Sequence, residues 1–145
     1  MRSVCFHLVD VAWQEVAGFL TGIADPNGDD GWCLPRNTES PVLFIDFYED
    51  FEAETEAEEL ADLKTALGRL PDVVVMVTVS ERVPGDAEVV AFADMLLRQF
   101  RGVAWDDYTT HCWTLQQIES RAKAYDHTFF DYAGWRQAER SDSAA

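Results

Sequence analysis

At 145 residues, with 48% apolar and 12% aromatic side chains, the chain is long enough and apolar enough to bury one core, and is no disordered acidic tail. A formal net charge of −16 argues against a nucleic-acid surface, which needs Lys and Arg against phosphate. It argues equally against an anionic membrane leaflet.

Val4, Phe6 and Leu8 alternate with Cys5, His7 and Val9, which predicts a strand with both faces largely apolar. Asp10 is placed to cap the helix that follows, where Trp13, Val16, Ala17, Leu20 and Ile23 recur at helical spacing. Asp25-Pro26-Asn27-Gly28 reads as a turn. Residues 31–34 read as a short strand that pairs antiparallel with residues 42–48, VLFIDFY, which are dense in β-formers. An acidic run then enters a helix with Thr55 as N-cap, Leu60, Leu63, Leu67 and Leu70 as its buried stripe, and Gly68 and Pro71 at its end.

Residues 73–79, VVVMVTV, are apolar on both faces and predict a central strand. Asp86 is the expected cap of the next helix, whose core face includes Val89, Phe92, Ala93, Leu96 and Leu97, and Gly102 is its expected stop. A short strand follows at 103–105. Thr114-Leu115-Gln116-Gln117 has the pattern of a capping box, flanked by Trp113 and Ile118 as a hydrophobic staple. Residues 128–132 read as a terminal strand, and residues 136–145 as a polar, frayed tail. The expected fold is α+β: a single compact domain over 1–135, with a mixed sheet and about four helices, a three-layer α/β fold being the alternative.

The charge is unevenly placed. Residues 46–62 hold nine of the 27 acids and none of the 11 bases. Glu56, Glu58 and Glu59 have a structural reason to be there, because a helix N-terminus favours negative charge. The absence of any interspersed base does not, since it leaves the segment without compensating pairs.

Catalytic motifs are weak. Asp106, Asp107, His111 and Cys112 fall within one short run, but adjacent His and Cys point to opposite faces of a strand. A metal would have to draw on His7, Cys33, His111, Cys112 and His127, which lack the paired spacing of a zinc site. Cys5 and His7 share a face, and a buried thiol beside a satisfied histidine explains them. No catalytic residue, metal or cofactor is therefore expected. Three cysteines at irregular spacing make no disulfide framework, the opening MRSVCFHLVDVAW is not a signal peptide, and no apolar run is membrane-length. A cytoplasmic location is expected.

Aromatic residues sit among and near the acids, in the run YEDFEAETEAEELAD (48–62) and in residues 105–108. With its size, cytosolic character and α+β pattern, the chain resembles the small acidic immunity proteins of bacterial toxin systems. These block a basic toxin by covering its active site. The resemblance implies a basic protein partner, such as a secreted toxin or nuclease domain. The expected contact residues are Tyr48, Glu49, Asp50, Phe51, Glu52, Glu54, Glu56, Glu58, Glu59, Trp105, Asp106, Asp107 and Tyr108. A small cytoplasmic enzyme using residues 106–112, and a DNA mimic, are the alternative expectations.

Overall fold

A computed structural model of the chain describes residues 2–132 and 134–136. Its elements run β1 (Arg2–Leu8), α1 (Trp13–Ile23), β2 (Asp25–Asn27), β3 (Gly31–Leu34), β4 (Leu43–Phe47), α2 (Phe51–Glu54) and α3 (Ala57–Leu67). There follow β5 (Val73–Val79), α4 (Asp86–Gln99), β6 (Gly102–Trp105) and α5 (Leu115–Ser120). The six strands form one sheet in the order β2-β3-β4-β5-β1-β6.

The two most apolar strands lie at the sheet's interior, as their two-faced patterns require. β1 pairs with β5 along its whole length, from Arg2 opposite Val79 to Leu8 opposite Val73, and its other edge takes β6. The hairpin expected at 31–48 forms, with Trp32 opposite Ile45 and Leu34 opposite Leu43. The turn expected at 25–28 instead opens with the edge strand β2, paired to β3. The class is α+β, but the sheet is antiparallel throughout rather than mixed. β5 and β6 flank β1 and so run parallel to each other without touching; the α4 crossover skips a strand.

Helices cover both faces, so the layering is that of the three-layer alternative on an antiparallel sheet. On one face α1, α4 and α5 bury eight side chains against Val4, Phe6, Leu8 and the odd-numbered valines of β5. On the other, α2 and α3 bury only Phe51, Leu63 and Leu67, against Val9, Val74 and Val103. At roughly 1.5–3 kcal/mol per buried side chain, the α2–α3 layer is the more weakly held. It is the layer expected to open first.

Several local expectations yield to distant partners. Asp10 does not cap α1: its carboxylate meets Arg69 at 2.8 Å and Arg101 at 3.2 Å, while its own N–H donates to Asp72. Ala12 takes the N-cap position, and its N–H donates to the Glu15 carboxylate at 3.4 Å. Thr55 does not open the acidic helix. It closes the one-turn helix α2 by donating to the Phe51 carbonyl, and α3 starts after Glu56. Gly85 rather than Asp86 is the N-cap of α4, and Asp86 accepts the Tyr132 N–H at 3.0 Å.

Helix α4 ends at Gln99, before Gly102, which opens β6. A Cβ on Gly102 would sit 2.3 Å from the His7 carbonyl oxygen, so glycine is needed there for close strand approach rather than as a helix stop. The Thr114 capping box forms as expected, with reciprocal bonds to Gln117 at 3.2 and 3.1 Å, and Trp113 and Ile118 buried beside it. Residues 128–132 form no strand. Phe129 and Phe130 plug the larger core from a turn, and an isolated bridge just before them joins Ala124 to His127. The tail expected at 136–145 lies, apart from Arg136, outside the described residues.

Candidate functional site: an acidic face beside aromatic residues

β4 delivers the chain to the acidic segment. Tyr48 extends the strand by one bond, N–H to the Val74 carbonyl at 2.9 Å; Glu49 and Asp50 then turn the chain, and Phe51 begins α2. Phe51 is 5% exposed, because its ring drops onto the sheet between His7 (4.8 Å between centroids) and Trp105 (5.7 Å). That contact fastens the acidic turn to the sheet. Tyr48 packs edge-on against Phe51, and its hydroxyl donates to the Glu54 carboxylate. This hydrogen bond holds the phenol proton on and pushes Tyr48 up to about 12.

The carboxylates of Glu49, Asp50, Glu52, Glu54, Glu56, Glu58 and Glu59 are exposed. None of the acids in 46–62 joins an ion pair among the described residues. Lys64 is the one base in α3, and five described arginines are engaged away from the segment. Arg69 and Arg101 hold Asp10, Arg98 holds Asp94 and Glu119, and Arg36 faces Asp25. Arg2 donates to the carbonyls of Ser80, Val83 and Pro84 and lies over the Tyr132 ring. With nine acids against Lys64, the acidic face carries a strongly negative field, which at physiological salt reaches about 8 Å into solvent.

Residues 105–108 divide. Trp105 stays with the acidic face, at the edge of the small core under α2 and α3. Asp107 is exposed nearby, accepting the Ser3 N–H at 2.6 Å. Asp106 is withdrawn from the surface, 8% exposed, and its carboxylate accepts the backbone N–H groups of Phe130 (2.8 Å), Thr109 (3.1 Å) and Tyr108 (3.2 Å). Burial raises its pKa while those three donors pull it down. Tyr108 packs on Phe130 of the larger core and on the exposed Trp135. Of the expected contact residues, Asp106 and Phe51 are thus buried and Tyr108 is half-buried. A β-strand alternates faces, so one step beyond Trp105 the chain turns to the other core.

The residues weighed for catalysis do not engage one another. The His111 ring bonds Gln117 at 2.9 Å, and Cys112 accepts from the Trp105 indole at 3.2 Å. Burial raises the Cys112 thiol against that bond. Cys5 is pushed up to about 11, by burial first and the Asp107 charge second. A shallow groove of about 360 Å³, lined by Asn27, Phe44, Thr78 and Glu81 among others, contains none of Asp106, Asp107, His111 and Cys112. Among the described residues no three His, Cys, Asp or Glu side chains converge as a metal would require. No described helix is long and apolar enough to cross a membrane.

Two residues stand out that sequence patterning misplaces. His7 was expected to be a satisfied core histidine. It is fully buried between Phe51 and Trp105, yet neither ring nitrogen has a hydrogen-bond partner among the described residues. Trp13 was expected in the buried stripe of α1; it is 58% exposed, edge-on to Phe47. Helical periodicity places Trp13 on the face that meets Phe47 but does not tell how much of its ring stays exposed. Comparison of the chain with protein-family models, with curated proteins and with solved structures found no match.

Proposed function

We propose that the chain is an acidic protein-binding module that acts in the cytoplasm as an immunity-type inhibitor, neutralising a basic bacterial toxin by electrostatically steered docking. The observation that carries this reading is that, among the described residues, the exposed carboxylates on the α2–α3 side join no ion pair. A solvated helix surface that serves only solubility gains from i,i+4 pairs with bases, and this one has none between residues 46 and 62. An uncompensated field of one sign accelerates encounter with the opposite sign and rejects like-charged competitors. Tyr48, Trp105 and Asp107, beside the acids, would supply the contacts that hold the partner after encounter.

The test begins with basic proteins retained from the host by the immobilised chain and eluted by a salt gradient. Each recovered protein is identified, purified and titrated against the wild type and against a variant with Glu52, Glu56, Glu58 and Glu59 changed to Lys. The reading requires affinity to fall steeply with salt for the wild type, and to fall on the order of a hundredfold in the variant. Equal affinities and equal salt slopes for the two proteins would sink it.

A further inference from the structure

We propose that Trp13, Phe47 and Trp32 form an anchoring platform for an arginine of the basic partner, with Glu49 and Asp50 taking up its charge. This rests on the reading of the chain as a binder of basic proteins, and it assigns the seat of contact to residues outside the acidic helices.

Trp13 opens α1 and leaves more than half its surface to solvent, at 58% exposure. An indole is a large apolar group that folding normally covers, and its exposure is the informative exception. The ring is not loose. Phe47, at the end of β4, meets Trp13 edge-on at 6.3 Å and 80°, and meets Trp32 of β3 at 5.7 Å and 88°. Trp32 is itself fixed, since its indole N–H donates to Thr21 Oγ1 at 3.2 Å. Three rings braced in this way present a preorganised surface, and binding then costs little side-chain ordering.

Charge selects the occupant. Glu49 follows Phe47 by two residues and Asp50 by three, and such stretches of chain span at most about 7 and 11 Å, so both exposed carboxylates lie within a short reach of chain from the platform. An apolar partner would have to strip water from those carboxylates without replacing it. A second copy of the chain would bring another net charge of −16 to the same face. An anionic lipid surface would be repelled likewise. A guanidinium suits both halves of the site: its plane stacks on an indole face, and its edge N–H groups reach carboxylates. Lysine, a compact and strongly hydrated charge, gains less from the ring.

Octa-arginine and octa-lysine peptides, titrated into the full chain at about 0.15 M salt, test this through calorimetry and indole fluorescence. Trp13→Ala should weaken octa-arginine roughly fivefold, the scale of an exposed cation–π contact. It should change octa-lysine affinity less than twofold and leave the salt slope unaltered. Trp13→Phe should fall between. Because Trp13 is exposed, circular dichroism should show these variants folded. Glu49→Lys with Asp50→Lys should weaken both peptides and flatten the salt slope. Unchanged octa-arginine affinity in Trp13→Ala overturns the platform, as does an equal loss for both peptides. The four-acid variant on α2 and α3, measured alongside, keeps the two ideas apart. If it loses binding while Trp13→Ala is silent, the acidic reading survives and the platform falls. If it is silent while Trp13→Ala loses arginine selectivity, the platform survives without the acidic helices.

Discussion

Replacing His7 with Leu should abolish a specific acid sensitivity of the fold. His7 is buried under α2 and α3, among Phe51, Trp105 and the aliphatic side chains of the small core, with no partner for either ring nitrogen among the described residues. Burial alone drives its pKa from 6.5 to about 3. The folded value lies below the unfolded one, so on acidification the unfolded chain takes up the proton first. The His7 contribution is therefore complete above 6.5 and is lost progressively as pH falls from there toward about 3. Each unit is worth about 1.4 kcal/mol, so the loss between pH 7 and pH 5 is about 2 kcal/mol. That is a large share of the roughly 5–15 kcal/mol that holds a domain of ordinary size.

Urea unfolding of wild type and His7→Leu at pH 7 and pH 5, followed by far-ultraviolet circular dichroism, measures it. The difference between the two proteins' pH effects removes the shared influence of the carboxylates. At pH 7 the variant should be at least as stable as the wild type, because it eliminates two unsatisfied buried nitrogens, which cost about 1–3 kcal/mol when left unpaired. At pH 5 it should lead by about 2 kcal/mol more. The same loss of stability from pH 7 to pH 5 in both proteins would refute the argument, as would an imidazole that titrates near its free value by NMR.

Asp106→Ala should cost about 2–4 kcal/mol by thermal or urea unfolding, since it strands the N–H groups of Phe130, Thr109 and Tyr108; a loss below about 0.5 kcal/mol would contradict its assigned structural role. With its pKa raised from 9.0 to about 11, Cys5 should be alkylated by iodoacetamide about a hundredfold more slowly at pH 8 in the folded protein than after denaturation. Peptide mass spectrometry reads this directly, and equal rates would mean that the thiol is neither buried nor disfavoured as thiolate.

Much of the fold is legible in short windows of sequence, because some signals are local. The two-faced apolar runs of β1 and β5 identify the interior strands, since only a strand covered on both sides needs apolar side chains on both. The Thr114 box needs only its own next three residues, and the β3–β4 hairpin only a turn between two β-forming runs. The concentration of acids between residues 46 and 62, and its lack of bases, is likewise a property of the chain itself. What the windows could not contain was the partner. Asp10 looks like a helix cap until Arg69, 59 residues away, and Arg101 take its carboxylate. Asp106 looks like a surface acid until Phe130 bonds it from 24 residues away. His7 has the same alternating position whether or not something satisfies it, and Trp13 the same helical phase however much of its ring stays exposed. Periodicity determines which way a side chain points. Only the assembled tertiary structure decides what it meets there, because burial and pairing depend on segments far apart in the chain.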